Sequence, residues 1–192
     1  MRYFCVITEN LKMLIGVPKE IKNHEYRVGM TPLSVREAVR HGHKVWVEAN
    51  AGGGIGASDA DYEKAGATIV PAVAEIFAKA DMIVKVKEPL APERKMLREG
   101  QILFTYLHLA PDPEQTKDLV KSGAVCIAYE TVTNGRGGLP LLAPMSQVAG
   151  RMSVQSGAHC LEKAQGGRGV LRGGGRGVAP AKVVILGGGV VG

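Results

Sequence analysis

Short apolar runs alternate with amphipathic segments along most of this 192-residue chain. Met13–Val17 reads as a short strand. Thr31-Pro32 then supplies an N-cap followed by proline at the first helical position, and Gly42 closes a helix that carries Val35, Ala38 and Val39. Val45, Val47 and Ala49 alternate with Lys44, Trp46 and Glu48, the period of a strand with one face less buried. Ser58 and Asp61 have the spacing of a capping box and open a short helix ending near Gly66. Further strands are expected at Thr68–Val70, Met82–Val86, Ile102–Leu107 and Val125–Ala128. Helices are expected at Ala72–Ala80, Pro92–Glu99 and between Asp112-Pro113 and Gly123.

Short connections between such βα units predict an α/β fold, a mostly parallel doubly wound sheet with helices on both faces. Pro144–Lys163 reads as a longer helix with Met145, Val148, Ala149 and Met152 on one face. Residues 165–181 break into glycine, arginine and proline. The apolar run Val183–Leu186 then leads into Gly187-Gly188-Gly189-Val190-Val191-Gly192, with Gly187, Gly189 and Gly192 in the places of the G-x-G-x-x-G turn that approaches a dinucleotide pyrophosphate. The organisation expected is a leader over 1–12, a substrate domain over 13–143, a connecting helix and loop over 144–181, and the first strand of a truncated nucleotide domain over 182–192. Met13 is read as the true start and the leader as an upstream extension; an ordered extra strand is the alternative.

Composition narrows the class. With 45% hydrophobic and 22% charged residues this is an ordinary soluble-protein composition, and no run of about 18 apolar residues suggests a membrane span. Cys5, Cys126 and Cys160 are odd in number, lack metal-like spacing, and fit buried thiols of a reducing cytoplasm; no Cys/His cluster suggests a metal. The net charge of +6 is concentrated locally: residues 163–192 hold Lys163, Arg168, Arg172, Arg176 and Lys182 and no acid. The segment GGRGVLRGGGRG has an RGG flavour, but no Phe, Tyr or Trp follows Tyr129 to stack on bases. A cationic loop entering the next domain is therefore preferred over a nucleic-acid partner.

In open parallel sheets ligands sit beyond the carboxyl ends of strands. Arg27 follows the first strand, Lys85 and Lys87 follow the run Met82–Val84, and His108 ends the run ILFTYL. Each has a plainer reading: a surface ion pair for Arg27, a solvated strand end for the lysines, a satisfied core histidine for His108. Alternation puts Lys85 and Lys87 on one face, so spacing does not choose between them.

The blocks GVPKEIKNHEYRVGMTP, KVKEP, GQILFTYLHLAP, AYETV, LPLLAPMSQVAGRMSVQSGA, GGRGVL and VVILGGGVVG together resemble the alanine dehydrogenase family, in family order from Met13 to Gly192. Arg172 and Arg176 depart from the apolar or proline residues of the family, which touches the loop and not the active site. The resemblance implies a reversible, NAD-dependent oxidative deamination of L-alanine to pyruvate and ammonia. It implies Arg27 on the substrate carboxylate, Lys87 on the pyruvate oxygens, and His108 as proton donor and acceptor. Met145 lies beside the substrate in this scheme. Ser146 contacts the cofactor, with Gly187, Gly189 and Gly192 in the pyrophosphate turn. It also implies a cytoplasmic homo-oligomer, a hexamer when intact. The related alternative is the NAD-binding component of proton-translocating transhydrogenase, which needs no Lys87 and His108 pair for an amino acid. A further alternative is a non-catalytic relic. Residues 1–192 alone are expected to be inactive and to expose apolar surface.

Overall fold

The computed structural model describes residues 12–192. The expected leader, apart from Lys12, and Cys5 lie outside the described residues. The chain divides into two compact units, one running through Thr131 and the other from Val132 to Gly192.

In the first unit six strands form one parallel sheet: β1 (Leu14–Val17), β2 (Lys44–Glu48), β3 (Thr68–Val70), β4 (Met82–Val84), β5 (Ile102–Thr105) and β6 (Val125–Ala128). Their spatial order is β3-β2-β1-β4-β5-β6, so the order reverses between β1 and β4. Ile15 pairs with Val45 on one side and with Met82 on the other. The connections carry α1 (Pro32–Arg40), α2 (Asp59–Lys64), α3 (Val73–Lys79), α4 (Ala91–Arg94) and α5 (Pro113–Ser122).

Period-two alternation sorts side chains to the two faces. Ile15, Val17, Val45, Val47 and Val84 pack with Val35, Tyr62 and Ala65 of the α1 and α2 side. Ile83 and Leu103 pack on the other face with Ile76, Phe77 and Leu119. Ile76, Phe77, Tyr62 and Leu103 are fully buried, each contributing about 1.5–3 kcal/mol over an exposed position. Gly16 faces α3: a Cβ there would run into the Ile76 and Ala80 side chains. Its absence lets α3 lie directly on β1.

Caps end the helices where the sequence signals stand. The Thr31 hydroxyl accepts from the Ser34 N–H, Ser58 and Asp61 form the reciprocal capping box, and the Asp112 carboxylate accepts from the Gln115 N–H. Gly42 and Gly123 take the left-handed conformations that close α1 and α5.

Some boundaries differ from expectation. α4 stops at Arg94 and does not reach Glu99. After it, the Arg98 guanidinium and the Gln101 amide donate to main-chain carbonyls of Phe77 and Ala80, and the chain tightens at Gly100. β4 and β5 end at Val84 and Thr105, although ladder hydrogen bonds continue from Lys85 N to Phe104 O and from Tyr106 N to Val86 O. The expected buried thiols are corrected: Cys126 is half-buried and Cys160 exposed.

The second unit is built on α6 (Ala143–Cys160). A 3-10 turn at Lys163–Gln165 and a left-handed Gly166 follow, so the helix ends three residues short of the expected Lys163. Val183–Leu186 does not form the expected strand, and its side chains are exposed. A parallel strand needs a hydrogen-bonded neighbour, and the one bridge among the described residues here joins Gly175 to Val178. No helix among the described residues is long and apolar enough to cross a membrane.

Candidate active site

The carboxyl ends of β1, β4 and β5 lie side by side at the point where strand order reverses, and each leads into a segment that carries cations or a histidine. The loop after β1 carries Glu20, Lys22, Glu25 and Arg27. The segment after β4 carries Lys85, Lys87 and Glu88, and that after β5 carries Tyr106 and His108.

Lys85 and Lys87 do not share a face. Regular strand geometry ends at Val84, and the Lys85 side chain turns into the interior, 1% exposed, between the carboxylates of Glu20 at 3.3 Å and Glu93 at 2.6 Å. Burial pushes the Glu20 carboxyl above its ordinary value, and the Lys85 charge partly opposes this. Glu20 also accepts from the main-chain N–H of Val86 at 2.6 Å and of Lys87 at 3.4 Å. The Thr105 hydroxyl donates to the Lys87 carbonyl at 2.8 Å. The Lys87 peptide is therefore held from both sides.

The Lys87 ammonium reaches outward. It stands 3.5 Å from His108 Nε2 and 3.7 Å from Glu88, which is itself ion-paired to Lys22. An ammonium is only a donor, so in this contact the imidazole accepts through Nε2 and carries its proton on Nδ1. His108 is exposed, with left-handed backbone at φ +47°. Its ring stacks on Tyr106 at 6.1 Å, and Tyr106 meets Tyr129 edge-on at 5.0 Å. Burial raises the Tyr129 hydroxyl strongly and the Tyr106 hydroxyl more mildly. Both phenols stay neutral near pH 7, and Tyr106 alone of the two lies against the imidazole.

Arg27 is both an ion-pair partner and a member of this cluster. Its Nε and Nη2 donate to the two oxygens of Glu25 at 2.7 and 2.6 Å. These bonds hold the Glu25 carboxyl below its ordinary range, with Lys87 adding to the effect. The Arg27 charge also reaches Tyr106. The structure thus gathers Arg27, Lys87 and His108 at the carboxyl end of the sheet. The supporting carboxylates Glu20, Glu25, Glu93 and Glu130 were not singled out by the sequence. Only the placement of Glu20 and Glu25 just beyond an apolar strand hinted at them.

Met145 and Ser146 lie in the first turns of α6, where the Ser146 hydroxyl donates to the Leu142 carbonyl. In the glycine turn, Gly187 has φ +99° and Gly192 lies against the Gly187 carbonyl with no room for a side chain. Nothing approaches the Cβ positions of Gly187 or Gly189. This leaves the backbone exposed at both positions. Among the described residues no cluster of His, Cys, Asp or Glu could hold a metal ion.

Known proteins share this architecture. The family model "Alanine dehydrogenase/PNT, N-terminal domain" matches residues 16–149, and "Alanine dehydrogenase/PNT, C-terminal domain" matches 153–192. An alanine dehydrogenase of Halomonas elongata is 63% identical over 180 residues, covering 94% of this chain and 48% of that protein. One of Mycobacterium tuberculosis is 53% identical over the same shares. A solved L-alanine dehydrogenase superposes with a TM-score of 0.84 at 57% identity, over 93% of this chain and 49% of the other. A transhydrogenase from Sinorhizobium meliloti gives 0.69 at 28% identity, over 76% and 42%. The chain spans about half the length of the curated relatives it matches.

Proposed function

Since this chain belongs to the alanine dehydrogenase/PNT family, we propose that it supplies the substrate-binding half of an NAD-dependent L-alanine dehydrogenase. The single observation that supports this most is the contact of Lys87 Nζ with His108 Nε2 at 3.5 Å, beside an arginine already oriented by a carboxylate.

In this reading the Arg27 guanidinium binds the carboxylate of L-alanine or pyruvate, using planar donors suited to bidentate recognition. Glu25 holds the guanidinium plane in advance, which limits the ordering cost of binding. Lys87 donates to the carbonyl oxygen of pyruvate and stabilises the negative charge that grows there as ammonia adds. His108 Nε2, the accepting nitrogen in the resting contact, exchanges a proton with the carbinolamine oxygen. Gly187, Gly189, Gly192 and Ser146 would hold NAD, which when bound takes up or returns the hydride of the substrate carbon. Met145 would border the substrate. The intact enzyme is, in this reading, a cytoplasmic homo-oligomer, a hexamer by the family's pattern.

The test is reductive amination of pyruvate by the protein expressed from its full reading frame, followed as ammonia-dependent NADH oxidation. Turnover that His108→Ala abolishes while pyruvate still binds is the expected result. Hydride exchange between nucleotides without any response to pyruvate and ammonia would instead place the protein with the transhydrogenases. Turnover unchanged in His108→Ala would overturn the proton-transfer role.

A further inference from the structure

We infer that Glu130 is a positioning residue for His108, acting through the main chain. No sequence motif assigned it a role. It sits in the 3-10 turn Tyr129–Thr131 directly after β6, one strand away from the histidine it serves. Its Oε1 accepts from the His108 N–H at 2.8 Å and from the Leu107 N–H at 3.0 Å, and Oε2 stands 3.2 Å from the same Leu107 N–H. One ionised carboxylate thus takes two consecutive peptide donors, and bonds of this charge-assisted kind are roughly twice as strong as neutral ones.

The geometry explains why such a grip is needed. Past Tyr106 the chain leaves the ladder, buries Leu107 and turns His108 outward. That reversal puts His108 at φ +47°, a region that non-glycine residues enter sparingly and that persists only when surroundings enforce it. Enforcement comes from both sides of the Leu107 residue. Gln115 of α5, itself buried, donates from Nε2 to the Leu107 carbonyl at 2.5 Å, while Glu130 takes the two N–H groups. Without Glu130 both donors lose their partner and the left-handed turn relaxes toward an ordinary conformation. The imidazole then swings off Tyr106 and away from Lys87.

This rests on the reading of His108 as the proton-transfer group, and two measurements keep the inference separable from that reading. The first follows the backbone amide resonances of Leu107 and His108 in the 192-residue chain. Glu130→Ala should shift both upfield, and Glu130→Gln, whose amide oxygen still accepts, should keep them near wild type. The second measures pyruvate amination by the full-length protein. Glu130→Ala should lower kcat by about 10- to 100-fold, the scale for a misplaced catalytic group, with KM for pyruvate changed less than about threefold. Glu130→Gln should restore most of that loss. A purely structural residue would lower thermal stability without separating kcat from KM in this way. Unmoved amide resonances in Glu130→Ala would overturn the inference whatever the enzyme's reaction. So would moved resonances with an unchanged kcat.

Discussion

Lys85 and Lys87 are two residues apart and chemically identical, yet their replacements should fail in opposite ways. Lys85→Met removes the one cation between two buried carboxylates, with side-chain exposures of 1% for Lys85, 2% for Glu20 and 3% for Glu93. Breaking a buried pair by deleting one partner costs about 3–5 kcal/mol, because the charge left behind has neither water nor counterion. A unit of this size loses roughly 3–6 °C per kcal/mol, so the melting temperature of the 192-residue chain should fall by about 10–30 °C. Lys87 is 19% exposed and its closest carboxylate contact is at 3.7 Å. Lys87→Met should therefore change stability by less than about 1 kcal/mol. Turnover should respond the other way: losing a donor to the developing oxyanion costs about 100- to 1,000-fold in kcat. The assay pairs circular-dichroism melts of the 192-residue variants with pyruvate amination by the full-length protein. A stable but inactive Lys85→Met beside an unstable but active Lys87→Met would refute the assignment of the two lysines.

Two glutamates should give mirror-image pH dependence. Burial raises Glu20 above 4.5 in the fold, so its contribution is present in full below that value and is lost as pH rises through the folded pKa. The melting temperature of Glu20→Gln relative to wild type should accordingly improve between pH 4 and 7. Glu25 is lowered below 4.5 by Arg27, so its contribution is present above that value and lost as pH falls; Glu25→Gln should worsen relative to wild type over the same range. Parallel curves for the two variants would contradict these signs. Gly16→Ala forces a methyl into Ile76 and Ala80 and should cost about 1–3 kcal/mol. Combined with Ile76→Ala, which removes the Cγ2 that the new methyl meets, the two losses should be less than additive in urea melts; strictly additive losses would show that the contact between β1 and α3 is looser than described.

The parts of this molecule legible in the sequence are those written locally. Thr31-Pro32, Ser58 with Asp61, and Asp112-Pro113 mark helix starts through hydrogen bonds within three residues, and the structure keeps all three. The strands and the parallel sheet follow from alternation and short βα connections. What stayed illegible depends on partners distant in sequence. Nothing near Lys85 shows that Glu20 and Glu93 close around it, so its alternation with Lys87 misled. A helix was expected to run to Glu99, yet the side chains of Arg98 and Gln101 are drawn to carbonyls at the end of α3. Val183–Leu186 has strand composition without a strand beside it. The site shows the same division. Arg27, Lys85, Lys87 and His108 stand out by their places after apolar runs, and only the family resemblance prefers Lys87 to Lys85, whereas Glu130 works through the backbone of a residue 22 positions earlier.

The reversal of strand order at β1 also has a kinetic meaning. β1, β2 and β3 can assemble from consecutive segments, and Arg27 belongs to that early half. β4 must travel back to dock on the open side of β1, a pairing fixed at its start by the Asp81 carboxylate accepting from Leu14 N–H across 67 residues. Such non-local closure is the entropically slow part of folding. Lys87 and His108 arrive only with it, as do the links of Glu20 to Val86 and of Lys22 to Glu88 that join the two halves. A nascent chain that has emerged only through β3 exposes a guanidinium loop with nothing opposite it. Arg27 and the Lys87–His108 pair of the candidate site come together only when the least local pairing in the sheet is complete.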